Sequence, residues 1–142
     1  MRQRVHSGYE LDDDRSRIDR RAVHAFLSHS YWAAGRERDV NDELIEGAGL
    51  VAGLYRGAAQ VGYCRVVSNY RTVAYLADVF VLEGHRGLGL GIALVRFAID
   101  HSDLAISASG CFTRGICMRS TQGSVSANPT DVSWSAGERH RW

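Results

Sequence analysis

The chain has 142 residues, of which 45% are hydrophobic, and its formal net charge is +1. This length suits one domain with a single core, and the small net charge gives no electrostatic case for binding nucleic acid. No apolar stretch approaches the roughly 20 residues that span a membrane, and residues 1–5 lack the hydrophobic region of a signal peptide. We therefore expect a cytoplasmic protein that binds neither nucleic acid nor a membrane.

Hydrophobic periodicity predicts elements in the order β-α-α-β-β-β-α. The predicted strands are 9–12, 50–55, 60–67 and 73–82, and the predicted helices are 17–29, 39–45 and 89–101. Asp19 falls in the first turn of the first helix, where an acidic residue favours helix formation. The three cysteines, Cys64, Cys111 and Cys117, form no metal-ligand pattern with nearby histidines, so we expect reduced thiols and no metal.

The most informative segment is the junction between the last predicted strand and the last predicted helix. An apolar run ends in the turn Arg86-Gly-Leu-Gly-Leu-Gly91, and helical spacing of apolar residues begins at once. A strand, a glycine turn and a helix N-terminus in this order direct backbone N–H groups and the helix dipole at one small volume. Glycine permits a positive φ and a close approach of the ligand. The segment therefore predicts a site for a phosphate or pyrophosphate group.

Two common phosphate-binding motifs are excluded by the spacing. A P-loop needs a lysine after its last glycine, and the chain contains no lysine. The dinucleotide fingerprint Gly-x-Gly-x-x-Gly needs a third glycine where this chain has Ile92 or Leu94.

The pattern Arg-x-x-Gly-x-Gly at Arg86, Gly89 and Gly91, after the strand 76–82, resembles motif A of the GNAT acetyltransferase superfamily. The resemblance covers roughly residues 8–103. It implies an α/β (α+β) fold with a mixed, mostly antiparallel central sheet and flanking helices. It also implies that acetyl-CoA is the co-substrate and that its pyrophosphate lies at the turn. The implied cofactor-binding residues of the turn are Arg86, Gly87, Leu88, Gly89, Leu90 and Gly91.

The same resemblance assigns a second task to the preceding strand, which in this family separates from its neighbour, often at a bulge. Main-chain groups of Asp78, Val79, Phe80 and Val81 would pair with the pantetheine amides of acetyl-CoA. Asp78 is also a candidate catalytic residue, as a base or to orient the substrate. The equal alternative is that it pairs with an arginine or caps a loop.

Three aromatic residues are candidates for the acceptor side of the site. Tyr31 follows the first predicted helix, where this family builds its acceptor lid, and we assign it to the catalytic site as an acceptor contact. Trp32 and Tyr75 either contact the substrate or fill the core, with core packing favoured for both. His85 has no evident partner, so solvent exposure is expected.

The composition changes after residue 103. Residues 104–142 are rich in serine and glycine, hold the only proline and contain none of the six tyrosines. The resemblance implies a tyrosine here that protonates the departing thiolate. We hypothesise that a frameshift near Asp103 replaced the natural tail, so that 104–142 is an atypical segment of the same domain as the core, 1–103. We expect one strand within 105–118, irregular chain beyond 119, and an exposed sheet edge that favours a homodimer.

The resulting functional prediction is an acetyl-CoA-dependent N-acetyltransferase, an enzyme that acts on a primary amine of a small molecule or on a protein amino group. The alternative is a non-catalytic acyl-CoA-binding or sensing domain of the same fold. The missing tyrosine favours the alternative, whereas Asp78 and the aromatic pair Tyr31 and Trp32 favour chemistry.

Overall fold

The computed structural model describes residues 1–6, 8–71 and 73–104. The strands are β1 (Arg2–Arg4), β2 (Tyr9–Asp12), β3 (Leu50–Arg56), β4 (Ala59–Ser68) and β5 (Ala74–Val81). The helices are α1 (Arg20–Ser28), α2 (Arg38–Glu46) and α3 (Leu90–Ile99), and short 3-10 turns cover 15–17, 83–85 and 102–104. The predicted α/β fold and order of elements are confirmed, with one addition, because β1 precedes the first predicted strand.

The five strands form one antiparallel sheet in the order β1-β2-β3-β4-β5. A two-residue turn joins β3 to β4, and its first residue, Gly57, has a φ of +60°. Such a φ is costly for a residue with a Cβ, which explains the glycine. Within the described residues, β5 pairs only with β4, so its other edge carries no strand.

Helices cover both faces of the sheet. Helix α3 packs on one face, and α1 and α2 pack on the other, which gives an α3 core and an α1/α2 core. The α3 core includes Leu54, Val66, Leu94 and Phe97, and the α1/α2 core includes Val23, Leu27, Ile45, Tyr63 and Phe80. Side chains alternate between the faces of a strand. Full burial of each large apolar side chain contributes roughly 1.5–3 kcal/mol.

The first helix begins three residues later than the predicted 17–29. The side chain of Asp19 accepts hydrogen bonds from the backbone N–H groups of Arg21 and Ala22, at 3.1 and 3.0 Å. Asp19 is therefore the N-cap of α1 and not a residue of its first turn. The segment 15–17 forms a 3-10 turn instead.

Cys64 is fully buried in the α3 core, and burial raises the pKa of its thiol to about 12. A protonated, buried thiol is unreactive, which agrees with the predicted bystander role. Cys111, Cys117, the predicted strand in 105–118 and the irregular segment beyond 119 lie outside the described residues. No helix in the described part of the chain is long and apolar enough to cross a bilayer.

Candidate functional site

The glycine turn between β5 and α3 has the backbone conformation that the sequence predicts. Gly87 and Gly89 have φ values of +82° and +72°. Gly89 is the N-cap of α3, and no side-chain cap is present at this helix end among the described residues. The first N–H groups of a helix have no partner within it, so they point outward beside Gly89. The positive end of the helix dipole lies at the same place.

Within the described residues, the space beside this turn is open. A Cβ built on Gly87 or Gly89 would have no described atom within 4 Å apart from those of the adjoining residues. The glycines are therefore required by their φ values, and their lack of a side chain leaves room for an anion to reach the backbone. Gly91 differs, because its φ is not positive and an added Cβ would lie 3.9 Å from Cγ2 of Val81, an ordinary contact. Its predicted role rests on its N–H group alone.

The other predicted residues of the turn divide by burial. Leu88 is exposed, whereas the side chain of Leu90 belongs to the α3 core, so Leu90 is able to offer only its main chain to a ligand. Arg86 is exposed, and its Nε donates a hydrogen bond to the carbonyl oxygen of Val81 at 2.9 Å. Arg86 thereby ties the turn to the end of β5.

A hydrogen bond from a distant strand anchors the start of the turn. The Tyr9 hydroxyl of β2 lies 2.8 Å from Nδ1 of His85, and the two rings meet edge to face at 5.7 Å. The expectation that His85 has no partner is therefore wrong. The two residues are 76 positions apart in the chain, and no local pattern links them.

Strand β5 contains the bulge that the resemblance implies. Tyr63 pairs with Phe80, but Arg65 pairs with Ala77, so one residue of β4 faces both Asp78 and Val79. Asp78 has a φ of +51°, which is uncommon for a residue other than glycine and is seen most often for aspartate and asparagine.

The bulge distributes the side chains of β5 between the two cores. Val79 and Val81 pack against the α3 core. Phe80 lies in the α1/α2 core and stacks on Phe26, with ring centroids 3.9 Å apart. The side chains of Val79, Phe80 and Val81 thus hold β5 in place.

Two arginines hold the side chain of Asp78, which is the arginine-pair alternative of the sequence prediction. Arg36, between α1 and α2, binds both carboxylate oxygens, at 2.8 and 3.3 Å. Arg65 of β4 donates through Nε at 2.6 Å. Burial alone raises the pKa of Asp78, but the hydrogen bonds and charges of Arg36 and Arg65 outweigh it and leave the pKa below its usual range. Such a carboxylate is a poor base.

The three candidate aromatic residues lie in different surroundings. Tyr31 is 55% exposed, and Trp32 is half-buried, 6.4 Å from Phe26 between ring centroids. The rings of Tyr31 and Trp32 meet edge to face, with their centroids 5.1 Å apart. Tyr75 is 43% exposed, so the expectation that it fills the core is wrong. Tyr75 precedes the bulge and lies near the start of β5, where its side chain is exposed.

Comparisons with known proteins agree with this geometry. The model of the Acetyltransferase (GNAT) family matches residues 10–121. A GNAT family protein of Xanthomonas campestris pv. campestris is 36% identical, with 68% of each chain covered and a TM-score of 0.66. A protein of unknown function from meticillin-resistant Staphylococcus aureus is 17% identical over 73% of this chain and 76% of its own, with a TM-score of 0.61.

A third structure, from Deinococcus radiodurans R1, is 15% identical over 92% of this chain and 82% of its own, with a TM-score of 0.58. At these low identities the last two structures support the fold alone. No curated protein matches the chain. The family match and the Xanthomonas protein carry the assignment, and the match runs past residue 103, where the resemblance was expected to end. The chain belongs to the GNAT acetyltransferase family.

Proposed function

We propose that the protein is an N-acetyltransferase that uses acetyl-CoA and acetylates a primary amine of a small molecule or a protein. The observation that carries the proposal is the continuous path from the bulge at Asp78 to the N-terminus of α3. Among the residues that the structure describes, this path offers a strand edge without a partner strand for the pantetheine amides and an uncapped, glycine-lined helix end for the pyrophosphate.

In the proposed reaction the acceptor nitrogen, in its unprotonated form, forms a bond to the carbonyl carbon of the thioester. The carbon–sulfur bond breaks, and its electron pair stays on sulfur. The proton lost by the nitrogen balances the proton that the thiolate takes up. No covalent intermediate with the protein is needed, so the main requirement is to place the two reactants together.

Residues of the described site would perform this placement. The turn Arg86 to Gly91 would hold the pyrophosphate, and the main chain of Val79, Phe80 and Val81 would align the pantetheine. We assign Tyr31, which is exposed after α1, to acceptor contact. Asp78 would act by fixing Arg36 and Arg65, because its ion pairs and low pKa do not suit a base.

Calorimetric titration with acetyl-CoA, followed by measurement of CoA thiol release with a panel of amines, tests the proposal. Binding with release that depends on an amine is the expected result. If acetyl-CoA does not bind, the assignment of the turn is wrong.

One observation favours a second candidate, a non-catalytic acyl-CoA-binding domain. The acidic residue predicted as a base is fully engaged with two arginines. Saturable acetyl-CoA binding without thiol release for any amine would support this candidate over the enzyme.

A further inference from the structure

The ion-pair cluster at the bulge contains two guanidinium groups and one carboxylate. Arg36, Arg65 and Asp78 have side chains that are 17%, 11% and 5% exposed, so the cluster is largely removed from water. Within the described residues, these three groups leave one positive charge in excess. A partly buried charge without a counter-ion is costly, and binding an anion would offset that cost.

We infer that this cluster selects an acceptor amine that also carries an oxyanion, either a carboxylate or a phosphate. The inference rests on the proposed transferase function and names the class of acceptor for the same site. It excludes acceptors whose only charges are positive, because the excess charge of Arg36 and Arg65 repels a second cation.

Arg65 has the donors that such an acceptor needs. Its Nε binds Asp78, and within the described part of the chain its two terminal nitrogens donate no hydrogen bond. A guanidinium presents parallel N–H groups that match a carboxylate or a phosphate. Both terminal nitrogens of Arg36 donate hydrogen bonds to Asp78. Asp78 therefore stays bound to Arg36 when the terminal nitrogens of Arg65 donate to a ligand.

An exposed apolar pair lies next to Arg65 on the same face of the sheet. Arg65 pairs with Ala77 across the strands, and the next pair on the same face is Val67 with Tyr75. Val67 and Tyr75 are 45% and 43% exposed, so α1 and α2 do not cover this end of the face. An apolar surface next to a guanidinium suits a short carbon skeleton that ends in an oxyanion.

Matched acceptor pairs test the inference. Each of the common amino acids is compared with its amide, and O-phosphoethanolamine is compared with ethanolamine, by thiol release from acetyl-CoA. We expect at least one member that carries the oxyanion to exceed the partner that lacks it by tenfold or more in kcat/KM. A preference for an amino acid over its amide indicates a carboxylate, and a preference for O-phosphoethanolamine over ethanolamine indicates a phosphate. The amide of an amino acid has the less basic amine, so its larger unprotonated fraction works against the expected preference.

Variants connect the preference to the cluster. Arg65→Gln is expected to raise KM at least tenfold for the acceptor that carries the oxyanion, not to raise it for the partner that lacks the oxyanion, and to keep the Kd for acetyl-CoA. Arg65→Lys, which keeps the charge but not the paired donors, is expected to recover part of the loss. Arg21→Gln is the matched control, because Arg21 is exposed on α1 and its side chain makes no described contact.

The outcomes separate this inference from the proposed function. Equal kcat/KM values within every pair overturn the inference and leave the transferase intact. Absence of turnover with every amine overturns the transferase, and the same pairs are then titrated into CoA-loaded protein. Tighter binding of the member that carries the oxyanion supports the inference if Arg65→Gln abolishes this preference. Equal or undetectable binding of both members overturns the inference.

Discussion

The substitution Gly89→Ala separates the cost of backbone strain from the loss of an anion site. Gly89 has a φ of +72°, and a left-handed conformation costs a residue with a Cβ about 1–2 kcal/mol. In the described part of the chain, no atom beyond the adjoining residues lies within 4 Å of the added Cβ, so no clash there adds to this cost. For a chain of this length we expect the melting temperature to fall by roughly 3–8 °C.

The effect of Gly89→Ala on the ligand should be larger than its effect on the fold suggests. A methyl group in front of the helix end keeps the pyrophosphate away from the N–H groups. We expect the Kd for acetyl-CoA, measured by calorimetry, to rise at least tenfold, which corresponds to about 1.4 kcal/mol.

Gly57→Ala provides the control for this measurement. Gly57 has a φ of +60° and equally open surroundings, but it lies in the β3–β4 turn. We expect a similar fall in melting temperature with an unchanged Kd. An equal rise in Kd for both variants, or for neither, would refute the placement of the pyrophosphate at the Gly89 turn.

Three further predictions follow from the described contacts. The Tyr63 hydroxyl is buried and has no hydrogen-bond partner among the described residues, so Tyr63→Phe should leave the free energy of unfolding unchanged or raise it. Tyr9→Phe, which loses the hydrogen bond to His85, should lower that free energy by about 1 kcal/mol in urea titrations. Gly91→Ala should stabilise α3 by up to about 1 kcal/mol and keep the acetyl-CoA Kd within threefold, and a large loss of affinity would show that the ligand contacts its Cα. The pKa of Asp78 is lowered from 3.8, so its ionised form contributes stability above that pH, which is lost as the pH falls through the folded-state pKa. Acid titration of the unfolding free energy should show a smaller drop for Asp78→Asn than for the unchanged protein.

The elements with strong local patterns were predictable from the sequence. The second predicted helix, 39–45, and the strands 50–55 and 60–67 agree with α2, β3 and β4 to within one residue at every end. The glycines and the apolar periodicity that follows them identify the turn before α3, because the positive φ values in this turn favour glycine. Strand β1 was missed because Arg2, Gln3 and Arg4 are all exposed and show no apolar alternation.

The contacts that define the acceptor side were not predictable in the same way. Arg36 and Asp78 are 42 positions apart, and only the folded sheet brings them together. The surroundings of Tyr75 depend on how far α1 and α2 extend over the sheet, which no local pattern records. The lone aspartate in an apolar strand was the available signal, since such a carboxylate needs a partner.

The order of the strands in the sheet equals their order in the chain, and this has a consequence for folding. The β3–β4 and β4–β5 pairs join neighbours in sequence, so they form with little loss of loop entropy, whereas the β2–β3 pair must enclose α1 and α2. We expect the β3–β4–β5 meander to form first and to retain the slowest amide hydrogen exchange. The bulge at Asp78 would then be built before Arg36 arrives, and the acceptor side of the site would be completed last.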